Sequence, residues 1–513
     1  MATNYDVAIL GSGFAGSLVA LVCRRLGHSV LLLERGRHPR FAIGESTTPL
    51  TNLLLEDLAH RYALPRLLPF SRYGAGREAY PDIPVGLKRG FTFYDHSTPA
   101  GGSPALDTSR QLLVAASPAD HAADTHWLRS SFDHFLVEEA RECGAEYLDR
   151  FRLSAAKRRS QGWELAGLHD GVARKFQARL VVDASGPRGA LWRLLHFGER
   201  PFPRLPATRA LFSHFTGVRR FAAEAPGKPP PYPPDDAAVH HLFPGGWVWV
   251  LRFDNGVASA GVVLDASAAG TRGDAVRHPE PGAAWARFLD TLPHLRRTFE
   301  RSERVEPFYT MPAVPFRYAR ASLPGAVLLP SAAAFVDPLF STGFALTLLG
   351  IHRLADLIAR HGPEIPETER RRWGRQVLEE ADVTADLVAA AYRNFHRFPD
   401  FVTLSMLYFA AASYAETARR VGRPHLASRF LLIDRPEFRR LLRAYCREGA
   451  ALPSMEQAAR DLLPFNVAGL CRSDRDNWYP VNLDDAAAAA GCVDSTPDEV
   501  RRALARFFRS PAQ

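Results

Sequence analysis

A short run of strand formers, Tyr5-Asp6-Val7-Ala8-Ile9-Leu10, leads straight into Gly11-Ser12-Gly13-Phe14-Ala15-Gly16. This junction limits the fold more than any other feature of the chain. Apolar residues follow at helical spacing (Leu18, Val19, Leu21, Val22, Leu26), then Gly27, then a second apolar strand, Val30-Leu31-Leu32-Leu33, ending at Glu34. Strand, glycine turn, helix and strand in this order form a complete βαβ unit within a parallel sheet. Gly11 suits a tight turn, Gly13 lets backbone approach a pyrophosphate, and Gly16 lets helix and strand pack closely. The helix start offers amide donors and a positive dipole end, and Glu34 is placed to accept from ribose hydroxyls. The unit predicts dinucleotide binding by Gly11, Gly13, Phe14, Ala15, Gly16 and Glu34.

The remaining composition narrows the class. A chain of 513 residues with 46% hydrophobic and 23% charged residues is globular and long enough for two or three units around a large core. The net charge of +9 comes from arginines scattered along the chain, not massed in one tail, so no nucleic-acid partner is expected. Cys23, Cys143, Cys446, Cys471 and Cys492 form no CxxC pair, which argues against a disulfide framework or a zinc site and suits a reducing cytoplasm. Met1 to Tyr5 carries no basic stretch of the kind that opens a signal peptide. Ala321 to His352 is nearly free of charge but is divided by Pro324, Pro330 and Pro338, and is expected to be strand, turn and buried helix with no membrane partner.

Lysine is rare here. Lys88 is one of four, with Lys157, Lys175 and Lys228, in a chain whose Lys and Arg together number 64. A guanidinium stays protonated, whereas a desolvated amine can lose its proton and act as nucleophile or donor. A rare lysine downstream of a dinucleotide turn therefore suggests amine chemistry beside a redox cofactor; a salt-bridged or solvated lysine is the plainer alternative.

Three further segments favour FAD. His38-Pro39-Arg40-Phe41-Ala42-Ile43-Gly44-Glu45-Ser46 follows the second strand, Trp127-Leu128-Arg129-Ser130-Ser131-Phe132-Asp133 opens a helix, and Leu180-Val181-Val182-Asp183-Ala184-Ser185-Gly186 is a strand ending in a glycine turn. Their spacing resembles the flavoprotein superfamily that includes the aromatic hydroxylases. The resemblance implies cofactor contacts from Arg40, Ile43, Gly44, Glu45, Ser46, Arg129 and Asp183.

Within that superfamily the chain resembles the flavin-dependent halogenases, and looks closest to the phenol- and pyrrole-type branch. Gly44-Glu45-Ser46-Thr47-Thr48-Pro49 is similar to their GExxxP segment, Gly86-Leu87-Lys88 lies where they carry the active-site lysine, and Trp247-Val248-Trp249-Val250 is similar to WxWxIP. Phe335-Val336-Asp337-Pro338-Leu339-Phe340-Ser341-Thr342-Gly343 looks like the turn into the helix beside the flavin. The resemblance implies Lys88 as the catalytic residue, Asp337 and Gly343 at the flavin, and a halide held by Ser341, Thr342 and Gly343. A substrate wall of Trp247, Trp249 and Phe340 would complete the site. It further implies FAD used as FADH2, chloride or bromide, and oxygen, forming hypohalous acid that travels to Lys88 and on to an electron-rich ring.

Some positions depart from the pattern. Leu251-Arg252 replaces Ile-Pro, Pro330-Ser331 replaces Gly-Asp before the Asp-Pro turn, and Phe340 stands where tryptophan-acting enzymes have a glutamate. The last change removes a second acid–base group and argues against free tryptophan as substrate. No second dinucleotide turn is evident, since Gly101-Gly102 and Gly245-Gly246 lack a strand–helix frame, so a separate flavin reductase is the expected partner. An NAD(P)H-dependent aromatic hydroxylase and a catalytically inactive flavin-binding protein stay open as alternatives. The expected architecture is α/β: a Rossmann-type FAD-binding domain (1–200 and 320–365), an inserted sheet-rich substrate domain (201–319) that includes an extended surface loop at Pro229 to Pro234, and a helical C-terminal region (366–513), alone or as a homodimer.

Overall fold

The computed structural model describes residues 3–97, 103–221, 229–267, 272–273 and 278–508. The opening βαβ unit is present: strand Thr3–Leu10, helix Phe14–Arg25 and strand Val30–Leu33. Thr3–Leu10 lies at the centre of an eight-stranded sheet, parallel to Val30–Leu33 on one side and to Val172–Asp183 on the other. Val30–Leu33 is apolar at every position because both of its faces are covered. Helix Phe14–Arg25 packs against helices Arg129–Glu142 and Thr342–His361.

A second, nine-stranded sheet stands over this unit. Its order runs Glu303–Arg304, Thr208–Thr216, Ala258–Asp265, Gly246–Arg252, Ala238–Phe243, Gly90–Asp95, Gln111–Ala115 and Trp478–Tyr479, with Tyr309–Met311 also paired to Thr208–Thr216. The expected boundaries need correcting here. The sheet is not confined to 201–319, because Gly90–Asp95 pairs in parallel with Ala238–Phe243, and Trp478–Tyr479 with Gln111–Ala115. Parallel neighbours need long connections, so the sheet draws strands from three distant stretches of chain. Val85–Lys88 stays outside it and forms its own antiparallel ribbon with Asp124–Trp127.

The chain after residue 366 is mainly helical, with long helices Glu367–Arg393 and Phe398–Arg420. The aromatic stretch Tyr392, Phe395, Phe398, Phe401, Tyr408 and Phe409 is buried throughout and acts as core. In the proline run Pro229 to Pro234 the expected surface loop is only half right, because Tyr232 is buried beside Leu113 and Ala237 and pins the loop down. Among the described residues one helix, Leu339–His361, has the length and composition to cross a membrane, and 67% of its apolar window is buried inside the fold.

Candidate active site

Between the two sheets lies a cavity of about 1350 Å³, bordered by the first glycine turn at one end and the tryptophan strand at the other. Small-ligand pockets are typically about 300–1,000 Å³, so this one suits a larger, extended group. At the glycine end, Gly16 must lack a side chain, since a Cβ there would collide with the carbonyl oxygen of Gly11. Helix Phe14–Arg25 begins with no side-chain cap and no acid in its first turn, leaving its amides and dipole for an anion. The guanidinium groups of Arg129 and Arg40 come within 3.5 and 3.7 Å of the position a Cβ would take at Gly13, and the Arg40 Nε is buried without a partner. Unpaired amides and two arginines at one glycine turn fit a pyrophosphate.

The predicted contacts mostly assemble here. Gly11, Gly13, Phe14, Ala15, Glu34, Arg40, Ile43, Gly44, Glu45, Ser46 and Arg129 line the cavity. Arg129 is clamped by Asp133 at 2.7 and 2.9 Å and donates to the carbonyls of Ile43 and Gly44, both at 3.0 Å, which fixes the segment below the cavity. Glu34 accepts from the amides of Ser12 and Gly36 and from Arg40. These donors hold its carboxyl below the ordinary range despite burial. Asp183 does not reach the cavity: fully buried, it accepts from the amides of Ser185, Ala190 and Leu191 and shapes the turn after its strand. Burial raises its pKa.

At the other end, Trp247 and Trp249 share one face of strand Gly246–Arg252 with ring centroids 5.9 Å apart, and both line the cavity. Facing them, Phe340 (φ 64°) and Ser341 (φ 53°) are consecutive residues in the left-handed region, a strained pair that aims the chain into helix Thr342–His361. That helix has neither a side-chain cap nor an acid in its first turn. A Cβ at Gly343 would meet open space, and Ser341, Thr342 and Gly343 all border the cavity. Such a start suits a small anion. Asp337 ties both features together. Trp247 donates to the Tyr392 hydroxyl at 3.1 Å, and Tyr392 donates to Asp337 at 2.9 Å. Burial pushes the Asp337 carboxyl up to about 7.

Phe340 departs from expectation. Its side chain is buried and stacked on Tyr408 (4.8 Å), and it takes no part in the cavity wall. Arg252 likewise points its chemistry elsewhere, pairing with Asp235 at 3.2 Å and donating to the carbonyls of Val218 and Arg219. The half-kept tryptophan signature therefore changes a loop anchor, while Leu251 still lines the cavity.

Lys88 is buried completely and lies outside the cavity lining, to which Ser46 and Ser341 contribute with hydroxyls 3.0 Å apart. Its ammonium donates to the carbonyl of Thr47 and sits 3.9 Å over the ring of Phe91. Burial drives its pKa well below that of an ordinary lysine, opposed by Asp124 across the ladder. The side chain is thus neither solvated nor in a surface ion pair.

Two site residues escaped the sequence. Asp124 lies 36 positions from Lys88, and only the ladder between their strands brings them together. His214, 2.8 Å from Glu45, comes from another sheet, and no local pattern marks it. The five cysteines are unpaired, and none borders the cavity.

A Rossmann-type dinucleotide-binding chain, with a second sheet closing the cavity and a desolvated lysine outside its lining, is the class that fold and site define. The tryptophan halogenase family model matches residues 114–399, more than half of the chain, and the chain belongs to that family. The model of NAD(P)-binding Rossmann-like domains matches residues 9–77. Tetracycline 7-halogenase of Kitasatospora aureofaciens is 28% identical over 362 residues, 68% of this chain and 62% of that protein. Monodechloroaminopyrrolnitrin halogenase PrnC of Pseudomonas fluorescens is 28% identical over 418 residues, 77% of this chain and 69% of that protein. The fold is similar to that of halogenase PltM, solved with phloroglucinol and FAD: the TM-score is 0.76 at 23% identity, covering 98% of this chain and 99% of that one.

Proposed function

We propose that the chain is a flavin-dependent halogenase that uses FADH2, oxygen and chloride or bromide to halogenate an electron-rich phenolic or pyrrolic ring. The carrying observation is the desolvated amine of Lys88, which donates to the carbonyl of Thr47, the residue after the cavity-lining Ser46. Supporting it, the curated relatives include a carrier-bound pyrrole-2-carbonyl brominase, 26% identical, and PrnC. Bound reduced flavin, with oxygen, supplies the oxidising equivalent that converts a halide into hypohalous acid.

The residues divide the remaining tasks. The Gly11–Gly16 turn with Arg40 and Arg129 would hold the pyrophosphate, and Ser341, Thr342 and Gly343 the halide. Trp247 and Trp249 would form a wall between flavin and substrate. Lys88, its ammonium pKa lowered by burial, would capture hypohalous acid by hydrogen bond or as a haloamine and present it to the ring. The ring of Phe91 lies 3.9 Å from that amine.

A separate reductase would supply FADH2. Among the described residues the Gly-x-Gly-x-x-Gly turn from strand to helix occurs once, at Gly11–Gly16; Gly245-Gly246 sits in the hairpin between strands Ala238–Phe243 and Gly246–Arg252, and Gly101-Gly102 lies outside the described residues. Lys88→Ala and Lys88→Arg should bind FAD as the parent does, release hypohalous acid to a soluble trap, and lose ring halogenation. Full halogenation by the arginine variant would overturn the amine role, and rapid direct reduction by NAD(P)H would favour the hydroxylase.

A further inference from the structure

The buried amine has a partner that the halogenase motifs do not supply. Lys88 and Asp124 are direct partners in the antiparallel ladder between Val85–Lys88 and Asp124–Trp127, which puts their Cβ atoms on one face about 4.5–5.5 Å apart. The ammonium is tethered to Thr47 and Phe91, and the carboxylate to the Asn52 amide at 2.7 Å, so the two charges face each other without forming a contact ion pair. The other carboxylate oxygen of Asp124, Oδ2, is buried and has no hydrogen-bond partner.

The other titratable groups near the pair are two histidines and three residues of one helix. His126 and His240 flank Lys88, and burial holds both imidazoles far below their ordinary range, so they stay neutral. Tyr408, Glu416 and Arg420, all on helix Phe398–Arg420, interact electrostatically with Asp124. Burial raises the tyrosine out of reach of neutral chemistry. Burial also raises Asp124, bringing acid and amine towards each other from opposite sides.

Asp124 also has a small pocket of its own. It borders a second, polar pocket with Asn52, Glu56, Ser71, Arg72 and Arg420, which shares no residue with the main cavity and does not include Lys88. Its volume of about 10 Å³ is close to the room one water needs.

We propose that Asp124 is the proton partner of Lys88, taking the ammonium proton to leave a neutral amine for hypohalous acid and returning it when the ring has been halogenated. The step is balanced: –NH3⁺ and –COO⁻ become –NH2 and –COOH, with no net charge moved into the protein. Asp124 acts through Lys88 and is a positioning residue. It takes over the acid–base task that Phe340 cannot perform, from a different element of the fold. The proposal rests on Lys88 being the reacting amine, so its test reads the lysine itself.

With only four lysines in the chain, FAD-loaded protein labelled with ¹³C at the lysine ε-carbon gives a countable set of signals, and Lys88→Arg identifies the one that matters. In Asp124→Asn the titration midpoint of Lys88 should fall by about one to three pH units, and ring halogenation should fall at least ~100-fold while trapped hypohalous acid is unchanged. Asp124→Glu should recover part of both. An unmoved midpoint in Asp124→Asn overturns the proposal. Should that variant not fold, an unmoved midpoint in Asp124→Glu, whose carboxylate is displaced by one methylene, overturns it equally. Retained halogenation in the Lys88 variants would instead sink the function proposed for the lysine, whatever its midpoint does.

Discussion

Nε2 of His214 lies 2.8 Å from Oε1 of Glu45, and both side chains are buried at the edge of the cofactor cavity. The contact joins the segment that follows the first βαβ unit to strand Thr208–Thr216, next to one edge of the second sheet, so it ties the two halves of the cavity together. Burial alone would lower the imidazole pKa, but the hydrogen bond and charge of Glu45 outweigh it and leave it raised.

The sign of the pH dependence follows. A histidine whose folded pKa is raised gives stability that is fully present below its unfolded value, about 6.5, and is lost as pH rises through the folded value. His214→Gln is therefore expected to destabilise the protein by ~1–3 kcal/mol at pH 6 and by much less at pH 9. Urea melts at the two pH values measure this, and an equal loss at both would show that the pair is not charged.

Lys88 and Asp124 should cost stability. Two opposite charges buried together repay their desolvation poorly, and replacing such a pair with neutral groups of similar volume often stabilises by ~1–4 kcal/mol. The double variant Lys88→Met with Asp124→Asn is expected to melt higher than the parent while losing ring halogenation. A lower melting temperature would mean that the pair contributes net stability.

Gly86 is the most sensitive position near the lysine. A Cβ there would land on the carbonyl oxygen of Arg252 and press on His126, so Gly86→Ala must push the lysine ribbon away from the tryptophan strand. The expected cost is ~1–3 kcal/mol in stability and a larger loss of ring halogenation than of FAD affinity. Flavin titration beside product analysis separates the two effects.

The first half of the site was legible because its signals are local. A strand, three glycines and a helix fall within adjacent residues, and the Trp247–Trp249 pair needs only the period of a strand. Lys88 was legible through its rarity among arginines. What could not be read depends on pairings between distant segments. Asp124 becomes relevant only when Asp124–Trp127 lies against Val85–Lys88. Gly90–Asp95 and Gln111–Ala115 carry no mark that they join the second sheet instead of the first. Phe340 misled because a side chain at the turn into a cavity-lining helix looks like a wall residue, whereas its left-handed backbone turns the ring into the helical core against Tyr408.

The sulfur atoms of the chain are placed with consequence for durability. No thiol borders the main cavity, and the one thioether on its wall is Met311. Cys23, Cys446 and Cys471 are buried, and burial pushes their thiols up to about 12, which keeps them in the form least open to attack by oxidants. In a chamber proposed to generate hypohalous acid, Met311 is the one sulfur on the wall, and sulfur oxidation over many turnovers should start there.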